Sequence, residues 1–311
     1  MLHIKKEIGL NLPEQCTTIG TTGVLPLMPS AGHTCSTPSL MAVQCPITLA
    51  LVNMHRRNTV THALLNSDTH TNLFLLQEPW FDTIGTARSD SAWQGVDMLG
   101  GITSPGWETI YPTIPKGLRL KVMAYARKRA INTQLGAPFT TVPHHDISDH
   151  PCLLVLDIVF DDKTWHVINF YHDIWDNSSL QALMAIDIDA VTLTLVVGDF
   201  NTHSPTWSPP GISRLGWAGQ VEEWAASNLL TLANNPGEIT CWGSEHERDS
   251  VIDLAWYNEA AVQHSTFSNL HIDWYGSLGS DHALIQMDGH AHSATPHQPM
   301  GVTEGFVTDL D

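Results

Sequence analysis

Apolar residues in this chain fall in short runs of strand length, and that spacing limits its fold more than any other feature. The runs are Ile47 to Val52, Leu73 to Leu76, Arg119 to Ala126, Cys152 to Phe160, Trp165 to Tyr171, Val191 to Val197, Val251 to Trp256 and Ala283 to Met287. Each is rich in β-branched or aromatic residues, which suit a pleated, half-buried surface. Helical spacing is confined to Val60, Ala63 and Leu64, to Leu180, Leu183 and Met184 after the capping candidates Ser178 and Ser179, and to Val221, Trp224 and Ala225 before Leu229. Many strands and few helices predict an α/β protein of packed sheets flanked by helices.

Composition sets the outer limits. Residues 1–45 are rich in Thr, Ser, Pro and Gly and read as a flexible leader, and 289–311 read as a flexible tail. The 311-residue length leaves 46–288 as one large domain with a proper core. No stretch nears the roughly 18 apolar residues that a membrane span needs, and the start lacks the apolar centre of a signal peptide. The expectation is a soluble, intracellular monomer, with the nucleus as one candidate compartment and no membrane partner. Cys16, Cys35, Cys45, Cys152 and Cys241 are odd in number and scattered, so they read as thiols rather than a disulfide framework or a paired-cysteine zinc site.

Charge opposes tight binding to polyanions: 14 Lys+Arg stand against 32 Asp+Glu, a formal net charge of -18. The local exceptions are the run Lys116, Arg119, Lys121, Arg127, Lys128 and Arg129, and the pair Arg56–Arg57. A solvated strand edge accounts for such a run as well as a phosphate-contacting rim does.

The chemistry lies at the strand ends. Asn53, Gln77-Glu78, Asn169 with Tyr171, Gly198-Asp199-Phe200-Asn201, Asp253 and Ser280-Asp281-His282 sit in or beside apolar strands, where burial alone gives them no purpose. One such group is a turn or a cap; six together fit a single reaction. Phosphodiester hydrolysis needs a hard cation on oxygen ligands, a carboxylate to position or deprotonate water, and donors on the non-bridging oxygens. Neither a Gly-x-x-x-x-Gly-Lys phosphate loop nor a His-Glu-x-x-His zinc helix is present.

In this order, those residues resemble the endonuclease/exonuclease/phosphatase superfamily, which includes deoxyribonuclease-I-like enzymes, apurinic endonucleases and retrotransposon endonucleases. The resemblance spans about residues 47–288. Gln77-Glu78-Pro79-Trp80, Ile84-Gly85-Thr86, Arg88-Ser89-Asp90 and Asp199-Phe200-Asn201-x-His203-x-Pro205-x-Trp207 look like the endonuclease domain of fungal LINE-type retrotransposons. The resemblance implies two packed mixed β-sheets flanked by helices, a four-layer α/β sandwich with its site at one edge. It also implies Mg²⁺ (or Mn²⁺) as cofactor and DNA, weakly held, as partner.

Position by position, it implies Mg²⁺ ligation by Glu78 with Asn53 and Asp281. Asp199 orients or deprotonates water, Asn201 holds the phosphate, Tyr171 contacts a phosphate oxygen, and His282, oriented by Asp253, stabilises developing charge. Arg56, Arg88 and His203 fall to substrate contact. His172 after Tyr171 and Ser204 after the Asp-Phe-Asn motif depart from the pattern. No reverse-transcriptase module follows, which fits a fragment of an element or a free-standing relic.

Three other readings stand beside this one: a phosphodiesterase or phosphatase for a small phosphorylated molecule, an inactive scaffold of the same fold, and a zinc-binding protein using His144, His145, Asp146, Asp149 and His150. The tripeptide Ser-Asp-His occurs twice, at 148–150 and 280–282. The second follows Asp253 in chain order and is expected to complete the site.

Overall fold

The protein, seen in a computed structural model, is described over residues 46–67, 70–87, 96–113, 119–128, 139–160, 163–243 and 248–290. Arg88, Lys116, Arg129, the leader and residues 291–311 lie outside the described residues.

The elements run β1 (Ile47–Asn53), α1 (Asn58–Ser67), β2 (Leu73–Gln77), β3 (Phe81–Ala87), β4 (Val96–Gly101), β5 (Trp107–Ile110), β6 (Val122–Arg127), β7 (Phe139–Pro143), β8 (Leu153–Phe160) and β9 (Lys163–Tyr171). They continue as α2 (Ser178–Met184), β10 (Leu193–Asp199), α3 (Ala218–Ser227), β11 (Thr231–Leu232), β12 (Asp253–Tyr257), α4 (Glu259–Gln263), β13 (Phe267–Asp273) and β14 (Leu284–Gly289). One six-stranded sheet has the order β13-β14-β1-β2-β6-β5, a second has β11-β12-β10-β9-β8-β7, and β3 and β4 form a separate hairpin. Both six-stranded sheets mix parallel and antiparallel pairs.

Three apolar clusters define the layers. Leu49, Leu51, Leu73 and Leu75 of the first sheet meet Leu154, Leu156, Val167, Leu195 and Val197 of the second in the central cluster. Ala50, Val52, Phe74 and Leu76 face the other way and meet Val60, Leu64 and Leu65 of α1. Ile168, Phe170 and Val196 turn outward against Leu180 and Leu183 of α2 and Val221, Trp224 and Ala225 of α3. Alternation along each strand therefore supplies both faces, giving the layer order helix, sheet, sheet, helices.

Several strands start later than their apolar runs. β6 begins at Val122 because Lys121 N–H donates to Pro151 O, outside its sheet. β10 begins at Leu193, since Asp189 accepts from Val191 N–H and Thr192 Oγ. Ser178 and Ser179 do not cap α2: the N-cap is Asn177, and Ser178 Oγ donates to Asp176 at 2.6 Å. The strands β3, β4, β5, β7, β11 and β13 had no apolar run to announce them. Edge strands such as β7 and β13 are largely exposed on alternate residues, and their polar side chains hide the strand pattern.

Strand direction places the site. β1 pairs with β2 in parallel, and β9 with β10 in parallel. Parallel pairing puts Asn53 beside Gln77 and Tyr171 beside Asp199. Antiparallel β12 starts where β10 ends, setting Asp253 opposite Asp199, and antiparallel β14 starts after Asp281-His282 beside the end of β1.

Candidate active site

Gly198 makes the turn into this site possible: a Cβ there would stand 1.8 Å from Phe170 O, so no larger residue fits before Asp199. Asp199 follows, buried to 1% exposure. Its carboxylate accepts from Asn53 Nδ2 at 2.9 Å and from Asn201 N–H at 2.9 Å. Asn201 has a positive φ of 45°, which turns its amide back on Asp199, and its Nδ2 donates to His172 O at 2.9 Å.

Asp253 and His282 make the second unit. His282 Nδ1 lies 3.0 and 2.9 Å from the two carboxylate oxygens of Asp253, both side chains being buried. Thr240 Oγ1 accepts from Asp253 N–H, Ser280 Oγ accepts from His282 N–H, and Ser280 Oγ donates to Asn53 O at 2.7 Å, so the chain is tied on both sides. His282 Nε2 reaches Cys241 Sγ at 3.6 Å.

Asp199, Asp253 and His282 present ligand atoms within 4.8 Å of one another. Burial raises the Asp199 pKa to about 7, with the Asp253 charge adding to it and the His282 charge opposing. Burial alone would lower His282, but the charge and hydrogen bonds of Asp253 outweigh it and hold the imidazole protonated far above its usual range. Tyr171 is pushed up by burial and then by the Glu78, Asp199 and Asp173 charges, so it stays a neutral phenol.

Asp199, His282 and Tyr171 line one cleft of about 790 Å³, together with Asn53, His55, Glu78, His203, Cys241, Trp242 and Asp281. Glu78 projects from a residue with φ 41°, and its Oε1 lies 3.2 Å from Arg56 and 3.5 Å from Lys121. Asp281 sits 3.2 Å from His55 Nδ1. Its own burial opposes ionisation, but the His282 and His55 charges prevail and lower its pKa.

Of the residues singled out in the sequence, Asn53, Glu78, Tyr171, Asp199, Asn201, His203, Asp281 and His282 line this cleft. Asp253 supports it from behind, Arg56 reaches it through Glu78, and Arg88 lies outside the described residues. Gln77 and Asn169 do not line it. Gln77 Nε2 donates to Asn169 Oδ1, and Asn169 Nδ2 donates to Leu76 O and Met123 O, so this buried pair clamps one sheet to the other. His150 is also elsewhere: its Nε2 lies 3.0 Å from Ser178 Oγ and its Nδ1 accepts from Cys152 N–H.

The basic run divides. Lys121 pairs with Glu78 and Asp173 and lies 4.8 Å over the Tyr171 ring, whereas Arg127 stacks 4.3 Å over Trp107. His172 is buried, its Nδ1 2.9 Å from Phe200 O, and Ser204 Oγ donates to Glu222. Both departures thus fill structural positions. His55, Cys241 and Trp242, the last tilted against Trp274 with ring centroids 4.4 Å apart, line the cleft without a motif that announced them. His55, two residues past Asn53, was the most findable.

The endonuclease–reverse transcriptase family matches residues 165–286, the stretch that holds Tyr171, Asp199, Asn201, Asp253, Asp281 and His282. The endonuclease domain of TRAS1, a telomere-specific non-LTR retrotransposon, superposes with a TM-score of 0.60 at 13% identity, over 79% of this chain and 99% of that one. The fold is that of the endonuclease/exonuclease/phosphatase superfamily. A 3′ phosphatase from Neisseria bound to product DNA hairpin also resembles this chain, at TM-score 0.49 and 12% identity over 78% of this chain and 99% of that one. An AP endonuclease from Archaeoglobus fulgidus gives 0.46 and 11%, over 78% and 98%. No protein of curated function matches in sequence. The family match and the fold support nuclease or phosphodiesterase chemistry. Among the described residues no helix is long and apolar enough to cross a membrane.

Proposed function

We propose that this chain is a Mg²⁺-dependent phosphodiesterase that nicks the DNA backbone, as a retrotransposon-type endonuclease does. The observation that carries this is the placement of the Asp199 carboxylate, held by Asn53 and Asn201, beside the Asp253–His282 pair on the wall of a cleft edged by Glu78 and Asp281.

Each chemical requirement has a residue to meet it. Asp199 accepts one hydrogen bond on each oxygen, which leaves lone pairs for a water whose proton it takes. His282 is the charged donor to the phosphorane-like oxygens, and Asp253 keeps its proton on and its ring fixed. Tyr171, a neutral phenol, donates to a non-bridging oxygen, and Asn201 offers its amide beside it.

Glu78, Asn53 and Asp281 are oxygen donors on one cleft, the hard set that suits Mg²⁺ or Mn²⁺, and Glu78 already draws two cationic side chains. Once bound there, the ion supplies positive charge to the scissile phosphate. Arg56 and His203 lie at the mouth as substrate contacts, and the exposed Trp242 offers a ring for a base to stack on.

The net charge of -18 and the cleft volume favour a second reading, a small phosphorylated molecule as substrate. Supercoiled plasmid and bis(p-nitrophenyl) phosphate, each with Mg²⁺ and with excess chelator, separate the two. Nicked circles that vanish with chelator support the endonuclease. Turnover of the small diester with intact plasmid moves the assignment to the second reading, and no turnover of either overturns both.

A further inference from the structure

We infer that a separate site for a divalent transition-metal ion of the zinc class lies at His144, Asp157 and His166, on the outer face of the second sheet. Asp157 of β8 and His166 of β9 are direct cross-strand partners. His144 follows the last residue of edge strand β7 and is held to β8 by its amide, which donates to Val155 O at 2.9 Å. Three strands thus contribute one ligand each.

The three side chains are close enough for one ion to reach all of them. The three ligand atoms lie within 4.8 Å of one another. His144 Nε2 is 2.9 Å from Asp157 Oδ2, and His166 Nδ1 is 2.9 Å from Asp157 Oδ1. Ligands about 2.0–2.2 Å from a tetrahedral ion stand roughly 3.3–3.5 Å apart, so an opening of a few tenths of an ångström admits one.

The two histidine contacts differ in kind. His166 makes a hydrogen bond to Asp157. His144 Nε2 is buried and close to the carboxylate, yet it has no hydrogen-bond partner. In its neutral tautomer protonated on Nδ1, His144 would present the Nε2 lone pair beside the Asp157 carboxylate, the donor pair that a zinc-class ion takes.

Two imidazoles and one carboxylate select zinc, nickel, cobalt or copper over Mg²⁺. The three side chains remain 27%, 22% and 15% exposed, which leaves room for water as the fourth ligand. His166 lies five residues before Tyr171 on β9, about 17 Å along the strand, so this centre does not share the catalytic cleft. An ion there would fasten edge strand β7 to β8 and β9. The inference stands whether or not the nuclease reading holds.

The test is titration of metal-stripped full-length protein with Co²⁺ in millimolar Mg²⁺, followed by visible absorption and by competition with Zn²⁺ against a chromophoric chelator. The expected result is one equivalent with tetrahedral-type Co²⁺ bands. Asp157→Asn, which preserves the shape of the side chain, and His144→Ala should each weaken binding by at least the ~10- to 100-fold that loss of an outer-shell partner costs. Asp253→Asn should leave it unchanged, because the other clustered triad is Asp199, Asp253 and His282. Binding that survives Asp157→Asn and His144→Ala, or that is lost in Asp253→Asn, overturns the assignment, as does the absence of any tight equivalent. Circular dichroism of each variant shows that it is folded; should His144→Ala not fold, Asp157→Asn decides alone.

Discussion

His282 Nδ1 lies 3.0 and 2.9 Å from the two oxygens of Asp253, and this contact sets the charge of an imidazole that lines the cleft. With Asp253 present, His282 binds its proton far more tightly than a free histidine does. Because the folded pKa is raised, the charged form persists as pH rises, and the rate should show no alkaline limb from this group in the neutral range. In Asp253→Asn the largest raising charge is gone while burial remains, which brings the His282 pKa down toward the neutral range. A new limb should then appear near neutrality in kcat/KM, with turnover at pH 8 down by about 10³- to 10⁴-fold. A profile unchanged in shape would remove His282 from the mechanism. His150→Ala, by contrast, should stay within a few-fold of the parent, since that ring serves Ser178 and Cys152.

Asp199 should cost stability while it serves the reaction. Its pKa in the fold is raised from 3.8 to about 7, chiefly by burial and next by Asp253. A raised carboxylate pKa means stability that is full below the unfolded value and lost as pH rises through the folded one. Asp199→Asn removes the charge and keeps only one of the two acceptor oxygens that serve Asn53 and Asn201. In chelator-containing buffer its melting temperature relative to the parent should therefore be about 2–8 °C higher at pH 8 than near pH 4. Its turnover should fall by about 10²- to 10⁴-fold. The same difference from the parent at both pH values would show that burying this charge costs nothing.

Glu78 faces Arg56 and Lys121 across the edge of the cleft. Glu78→Gln should therefore raise the Mg²⁺ concentration for half-maximal nicking by ~10-fold or more while leaving the fold intact. An excess of chelator should abolish nicking in both proteins. A Mg²⁺ titration curve that does not move would take Glu78 out of the ligand set.

The Gln77–Asn169 pair should behave as structure. Replacing Asn169 with Leu removes the 2.5 Å acceptor of Gln77 Nε2, leaving it Leu75 O at 3.4 Å, and takes a buried donor from the carbonyls of Leu76 and Met123. The cost is about 2–5 kcal/mol, read as a lower denaturant midpoint or a melting temperature lower by roughly 5–15 °C. The protein that remains folded should turn over within a few-fold of the parent. A large loss of kcat at unchanged stability would instead make Asn169 part of the chemistry.

Screening should distinguish the two halves of the basic run. Arg127 is committed to the Trp107 ring and to Thr71 O, so Arg127→Ala should lower stability and leave the salt dependence of DNA nicking alone. Lys121→Ala, at the cleft beside Tyr171, should flatten the log–log salt slope by about 1. Equal effects from the two would return both to one surface.

Sequence alone determined the strand-rich core, because apolar alternation is a local record of which face is buried: Leu49 and Leu51 face one way, Ala50 and Val52 the other. It also determined which residue types carry the chemistry, since Asp199, Asp253 and His282 sit in apolar strands without a local reason to be there. Tertiary structure decided what those residues touch. Gln77 and Asn169 have the same pattern as Asn53 and Tyr171, yet they point between the sheets and clamp them, a distinction that rests on sheet packing between residues 92 positions apart. Lys121 and Arg127 are six residues apart in one run, but one lies against the cleft residues Glu78 and Tyr171 and the other stacks on Trp107. His144 was grouped with His145, Asp149 and His150 by proximity in the chain; the sheet joins it to Asp157 and His166 instead, because strand pairing brings together residues that the sequence separates.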